Sequence, residues 1–227
     1  MSLPLILKDA PSHFNWDLES GTSKDFEALN LQITEHIQFN PTETPIQAHL
    51  FQSFLHMSGY KHPRPDSNSF KRCLKIAYDK IDALTDKDAR IGYKLVAKCN
   101  EAIVAGRLKL DNDIEDEIED LIEEQTNKSK ACIDSVRAFA LSRLGLPKYS
   151  DTEKYYRQAI ELYPNNSDWL FGLALVIGRR ARSNAPYYAF TEEMKEEEEL
   201  YNQILELDNN HGLACASLSQ CLLQQRG

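Results

Sequence analysis

The chain has 227 residues, of which 35 are acidic and 26 are Lys or Arg, and its formal net charge is −9. This acidic balance excludes a uniformly basic nucleic-acid-binding protein, although it still permits a local basic site. Only nine glycines and nine prolines are present, a composition that favours a mostly helical protein.

Five cysteines, an odd number, occur without C-x-x-C spacing: Cys73, Cys99, Cys132, Cys215 and Cys221. Each lies in an apolar helical pattern, so we predict buried free thiols, with neither a disulfide framework nor a zinc site. We expect no signal peptide, because Met1 to Leu7 lack a basic n-region, and no apolar run is long enough to cross a bilayer. These features predict a soluble cytoplasmic protein without a membrane partner.

The first half of the chain is predicted to form helices joined by turns. The first helix places Phe26, Leu29, Ile33 and Ile37 on one face. Gly106 is predicted to separate the last two helices of this half. The predicted helices span residues 24–38, 45–58, 68–83, 87–105 and 111–125.

The second half is predicted to contain helix pairs with clearer repeat spacing. Pro164 ends one helix, and Asn165 and Asn166 are suited to cap the next. An insertion, Ala181 to Phe190, separates the fourth helix from its predecessor. The predicted helices span residues 131–145, 149–163, 167–180, 191–208 and 210–225.

One phrase is repeated in this half. Tyr156-Arg-Gln-Ala-Ile-Glu-Leu recurs as Tyr201-Asn-Gln-Ile-Leu-Glu-Leu, and its spacing is typical of the buried stripe on the second helix of a tetratricopeptide repeat. We therefore predict an all-α fold, a tetratricopeptide-repeat-like superhelix of antiparallel helix pairs. A single solenoid is expected over 1–227, with divergent helices at 24–130 and clearer repeats at 131–227. Such solenoids usually bind a partner on their concave surface.

The sequence contains no motif that is typical of catalysis. A glycine-rich phosphate loop, a G-x-S-x-G turn and an H-E-x-x-H zinc motif are all missing. His49 and His56 lie two helical turns apart, roughly 10 Å, which is too far for one metal ion. We expect these histidines to serve packing or the surface. The sequence therefore predicts no catalytic residue, no metal site, no cofactor and no enzyme.

The most basic stretch lies in the repeats. Residues 133–182 hold eight bases and five acids, whereas residues 111–124 hold nine acids and no base. Arg143 and Arg179 end the first helices of successive units, so they are expected to converge on the concave wall beside Tyr149. Two guanidiniums and a phenol suit a phosphate group. The alternative is that these arginines only interact with the C-terminal dipoles of their helices.

Several segments resemble one known family. Ser12-His-Phe-Asn-Trp-Asp-Leu18 resembles the His-Phe-Thr-Trp-Asn-Leu opening of the interferon-induced proteins with tetratricopeptide repeats. The segments at 138–143, 155–164 and 172–179 resemble later parts of the same family, in the same order. The likeness extends over nearly the whole chain in scattered identities.

The resemblance implies a cytosolic antiviral protein of innate immunity. Several members of the family bind the 5′ end of single-stranded RNA, triphosphorylated or capped, in a basic pocket inside the superhelix. Carried over by position, the phosphate-binding lysine of the family falls at Arg143, its arginine at Arg179 and a pocket tyrosine at Tyr149. Two polar pocket positions fall near Gln32 and His36. The chain differs from the family at His36, where the family has glutamine, and at 178, where a glycine replaces tyrosine.

Two functions from different classes follow. The first is recognition of an RNA 5′-phosphate end by the residues above. The second is a protein-binding adaptor without RNA activity. A third alternative is a degenerate relative that keeps the fold and has no RNA activity. Cys215, Leu218 and Leu222 share one face of the last helix, so this helix is expected to bind another protein or a second copy of the chain.

Overall fold

A computed structural model describes residues 5–18, 25–39, 45–58, 65–108, 114–184 and 191–225. Within these residues every regular element is helical, which confirms the prediction of an all-α fold. The helices are α1 (Leu5–Lys8), α2 (Phe26–Phe39), α3 (Ile46–Met57), α4 (Ser67–Asp82), α5 (Lys87–Leu108), α6 (Ile114–Glu123), α7 (Asn127–Arg143), α8 (Tyr149–Leu162), α9 (Ser167–Asn184), α10 (Glu192–Leu207) and α11 (Gly212–Gln225).

Most helices pack on their neighbours in the chain, as expected of a solenoid, although α5 packs most extensively on α7. The most extensive contacts join α7 to α8, α3 to α4 and α9 to α10, and α5 also packs on α7. One apolar core runs from Trp16 to Cys221 along the stack. A smaller core joins α1, α5 and α6 around Leu7, Leu95 and Ile118.

Side chains at the helix starts explain where α7, α9 and α10 begin. Thr126 and Ser129 form a reciprocal capping box before α7. Asn166 Oδ1 accepts the backbone N–H of Trp169 at 3.0 Å, which confirms the predicted cap of α9. Thr191 Oγ1 accepts the backbone N–H of Met194 before α10.

The repeated phrase forms the predicted buried stripe. Tyr156 and Ala159 are buried on α8, and Tyr201 and Ile204 are buried on α10. The two helices therefore present equivalent residues to the core. This equivalence allows the side chains of successive repeats to be compared position by position.

α5 and α9 extend three and four residues beyond their predicted C-terminal ends. α5 continues through Gly106 to Leu108, because one helical glycine costs only about 1 kcal/mol and the preceding Ile103 and Val104 are buried in the core. α9 continues to Asn184, because Ala181 is buried and Arg182 is paired with Glu197. The rest of the predicted insertion, residues 185–190, lies outside the described residues.

The Ser12–Leu18 motif packs against α5. Asn100 Oδ1 accepts the Ser12 hydroxyl at 2.8 Å and the His13 backbone N–H at 3.1 Å. The Asn100 amide contacts His13 Nδ1 at 3.0 Å, and all three residues are fully or almost fully buried. The motif therefore contributes packing and hydrogen bonds to the fold.

Four of the five cysteines are buried free thiols, as predicted, but Cys215 is exposed. The prediction is wrong for Cys215 because α11 turns Ala214 and Cys221 toward the core, and Cys215 faces solvent. Among the described helices, none is long and apolar enough to cross a membrane.

Candidate functional site

A cavity of about 320 Å³ opens between several helices of the stack. Its walls come from α2, α3, α7, α8, α9 and the residues that begin α11. Aromatic rings of Phe139, Trp169 and Phe171 form part of the wall. Arg143 and Arg179 both line it, so the structure brings the two predicted cations into one space.

Arg143 extends from the last turn of α7, where the residue is half-buried and its guanidinium is enclosed. Its guanidinium carbon lies 4.4 Å from the centre of the Phe139 ring, and its buried Nε has no hydrogen-bond partner. Burial lowers the pKa of this guanidinium, and the nearby charge of Arg179 lowers it further. Such an enclosed charge is costly when no carboxylate pairs with it, and the described residues offer it no salt bridge.

Arg179 is an exposed residue in a cluster of three arginines at the end of α9. Arg180 pairs with Glu153, and Arg182 pairs with Glu197 at 2.7 Å. Within the described part of the chain, Arg179 has no salt bridge. The C-terminal turns of α9 therefore carry two neutralised arginines and one that is free to hold a ligand.

Of the other predicted residues, His36 lines the cavity, and Gln32 and Tyr149 do not border it. Gln32 is exposed on α2, and Tyr149 is half-buried at the first position of α8. The phenol in the cavity is that of Tyr156, two turns further along α8. The assignment of Gln32, His36, Arg143, Tyr149 and Arg179 as RNA ligands stays a prediction.

Tyr156 reaches the cavity because Gly172 leaves room for its ring. A Cβ at position 172 would lie 2.4 Å from Cζ of Tyr156. Burial raises the pKa of Tyr156 to about 12, so the phenol stays neutral and can donate a hydrogen bond. The repeat pattern indicated Tyr156 only as a core residue. The glycine at 172, on the helix that follows, was the one sign in the sequence that a large ring packs there.

His211 lines the cavity from the turn that precedes α11. Its Nδ1 accepts the backbone N–H of Ala214 at 3.1 Å, so the proton of the neutral ring is assigned to Nε2. That nitrogen lies 3.9 Å from Oδ1 of Asp168, whose side chain is 85% exposed. The sequence pattern gave no sign of this histidine, because it depends on how α11 folds back on the stack.

The glycine at 178 has a structural cause. A Cβ at this position would lie 2.0 Å from Cδ of Glu197. Glu197 is 1% exposed, and it binds Arg182 and the hydroxyl of Tyr201. A tyrosine at 178 is incompatible with this arrangement, so the glycine and the buried carboxylate belong together.

No metal site is found among the residues that the structure describes, since they contain no group of three His, Cys, Asp or Glu side chains that could hold an ion. The cavity groups instead suit an anion. Two guanidiniums, a neutral phenol and two imidazoles can all donate hydrogen bonds to oxygen atoms.

No protein-family model and no curated protein matches the sequence, but solved structures match the fold. The human IFIT1 dimer with m7Gppp-AAAA gives a TM-score of 0.72 at 18% identity. A monomeric IFIT1 mutant with Gppp-AAAA gives 0.75 at 19%, and the human IFIT1 dimer with PPP-AAAA gives 0.69 at 17%.

These alignments cover 96–97% of this chain and 47–48% of the IFIT1 chain. The chain therefore spans about half the length of the structures that it matches. At this level of identity the likeness concerns the fold alone. The chain has the tetratricopeptide-repeat superhelix fold of IFIT1.

Proposed function

We propose that this protein binds the 5′-phosphate end of single-stranded RNA in the cavity, with Arg143 and Arg179 as the phosphate ligands. One observation carries the proposal. The two arginines that line the cavity have no carboxylate partner among the described residues, whereas the neighbouring Arg180 and Arg182 are paired. The related IFIT1 structures contain RNA with a cap or a 5′-triphosphate, which supports this choice of ligand.

The charge balance of the cavity favours an anion. Asp168 is the carboxylate in its wall, and its side chain is 85% exposed, so water screens its charge. Arg143 is enclosed, and a charge-assisted hydrogen bond to such a group contributes about 1.5–3 kcal/mol. In this proposal the protein acts by binding RNA, not by catalysis, and requires no cofactor. A cytoplasmic role in innate antiviral defence is part of the same proposal.

The test compares RNA of one sequence with a 5′-triphosphate or a 5′-hydroxyl end. We expect the triphosphate form to bind at least tenfold more tightly, and its affinity to fall steeply as salt rises. Arg143→Ala should weaken this binding by about 10- to 100-fold, since it removes a charge-assisted hydrogen bond. Arg179→Ala should weaken it by about tenfold for the same reason.

Arg180→Ala is the matched control, because it removes the same charge from the same helix at a residue that is already paired. Its affinity for triphosphate RNA should stay within about twofold of the wild type. Equal losses in Arg179→Ala and Arg180→Ala, or no preference for the triphosphate, would contradict the proposal.

A second candidate function, self-association through α11, is favoured by exposed leucines. Leu213 and Leu223 are 64% and 72% exposed, and Leu222 is 37% exposed. The predicted trio is only partly correct, since Leu218 packs against the core and Cys215 is exposed without being strongly apolar. Light scattering across a concentration series tests this function. Leu223→Glu should reduce association, and Leu31→Glu, at an exposed leucine of α2, is the control.

A further inference from the structure

Building on the proposed function, we propose that His36 is a specificity-determining residue. It takes up a proton when a terminal phosphate enters the cavity, and it then joins Arg143 and Arg179 as a third cationic ligand. The site thereby favours a doubly ionised terminal phosphate over an internal phosphodiester, which carries a single charge.

The titratable groups of the cavity come from five places in the chain. α3 and the residue before it contribute only Pro45 and Gln47, which do not titrate. The side chains that do titrate are His36 of α2, Arg143 of α7, Tyr156 of α8, Asp168 and Arg179 of α9, and His211 before α11.

The surroundings of His36 disfavour its protonated form. His36 is exposed overall, but the burial of part of its imidazole lowers its pKa, and the positive charge of Arg143 lowers the pKa further. His36 forms no salt bridge with any described residue. Its ring lines the cavity, and a pKa below the ordinary value of 6.5 leaves this ring mainly uncharged at pH 7.

A bound phosphate reverses this electrostatic environment. A doubly charged phosphate beside Arg143 and Arg179 outweighs their repulsion of a protonated imidazole. An opposite charge within about 4–6 Å raises the pKa of a histidine. Protonated His36 can then donate a charge-assisted hydrogen bond to the phosphate. A glutamine at this position could donate only a neutral hydrogen bond.

The second imidazole, that of His211, is not suited to the same change. Its Nδ1 accepts the backbone N–H of Ala214 at the start of α11. Protonation of that nitrogen would remove the acceptor and leave the N–H without its partner. The proton is therefore assigned to His36.

Calorimetric titration measures the proton directly. The probes are RNA of sequence AAAA with a 5′-triphosphate or a 5′-hydroxyl end, titrated at pH 7 in two buffers with different ionisation enthalpies. The difference in observed heat gives the number of protons taken up. His36→Gln removes the titrating group and keeps a hydrogen-bond donor. His211→Asn keeps a side-chain acceptor for the helix cap and is the matched control.

We expect the wild type and His211→Asn to take up the same number of protons with triphosphate RNA, and His36→Gln to take up measurably fewer. Ionisation of the RNA phosphate is common to the three proteins and cancels in the comparison. From pH 8 to pH 6 the affinity of the wild type relative to His36→Gln should rise, by at most about tenfold per pH unit for one linked proton.

Equal proton uptake in the wild type and His36→Gln, with triphosphate RNA still preferred, would overturn this inference and leave the proposed function standing. If His211→Asn takes up fewer protons and His36→Gln does not, the proton belongs to His211, and the inference is also overturned. Equal affinity for the triphosphate and hydroxyl forms would overturn both proposals.

Discussion

The two tyrosines of the repeated phrase occupy equivalent helix positions in opposite electrostatic surroundings. The hydroxyl of Tyr201 donates to Glu197 at 3.1 Å, and Arg182 donates to the same carboxylate at 2.7 Å. Tyr156 lines the cavity together with Arg143, and no described carboxylate pairs with that arginine. One repeat thus contains a closed ion pair, and the preceding repeat contains an open cationic cavity.

The difference shows how one scaffold separates stability from binding. Glycines of α9 make both arrangements possible, since Gly178 admits the Glu197 carboxylate and Gly172 admits the Tyr156 ring. In the closed arrangement the Glu197 carboxylate accepts hydrogen bonds from both Arg182 and Tyr201. In the open arrangement Arg143 and Arg179 are left for a ligand, and the free energy of folding bears the cost of enclosing the Arg143 guanidinium.

The largest expected effect tests the two arginines by the same substitution. Arg182→Leu leaves the buried Glu197 carboxylate without its cation, so we expect the free energy of unfolding to fall by about 3 kcal/mol. Arg143→Leu removes an unpaired enclosed charge, so the free energy of unfolding should stay unchanged or rise while RNA binding is lost. Urea unfolding followed by circular dichroism measures both. Similar losses in the two variants would show that Arg143 also has a structural partner.

An intermediate effect is expected from the two glycines. Gly178→Ala should lower the free energy of unfolding by about 2–3 kcal/mol, because Glu197 must leave its partners. Gly172→Ala should cost only about 1 kcal/mol, because the Tyr156 ring can move into the open cavity. For Gly172→Ala the loss should appear mainly as weaker RNA binding. A greater loss of stability in Gly172→Ala than in Gly178→Ala would reverse the comparison.

The smallest expected effect concerns the hydroxyls themselves. Tyr201→Phe removes a hydrogen bond to a buried carboxylate, so the free energy of unfolding should fall by about 1–2 kcal/mol. Tyr156→Phe removes a hydroxyl that has no protein hydrogen bond among the described residues, and its unfolding should change by less than about 0.5 kcal/mol. Thermal unfolding of the two variants at one pH makes the comparison. Equal shifts in melting temperature would contradict it.

The sequence predicted the fold well because helix periodicity and caps are local properties. The stripe of Tyr156 and Tyr201, the cap at Asn166 and the pairing of successive helices all follow from spacing along the chain. The placement of Arg143 and Arg179 in one cavity followed from the same register. Equivalent positions of neighbouring repeats lie side by side, and the two arginines are at such positions.

The rest of the site depends on contacts between distant segments. Tyr149 was predicted from its place after Arg143 and from the family resemblance, whereas the phenol that lines the cavity is that of Tyr156, whose ring passes close to α9 at Gly172. His211 reaches the cavity because α11 packs on α10 and its own ring contacts Phe171 of α9. The helical extension to Asn184 likewise depends on the pair formed by Arg182 and Glu197, which sequence spacing does not show.

The cavity draws its walls from α2 near one end of the chain and from the start of α11 near the other. In a solenoid each unit contacts mainly its neighbours, so the terminal units can open without the centre. A ligand that touches His36, Arg143 and His211 at once would connect units that are not adjacent in the stack. Its binding should therefore slow amide hydrogen exchange in α2 and α11 together. The bound protein would then unfold as a single unit, without prior opening of its terminal helices.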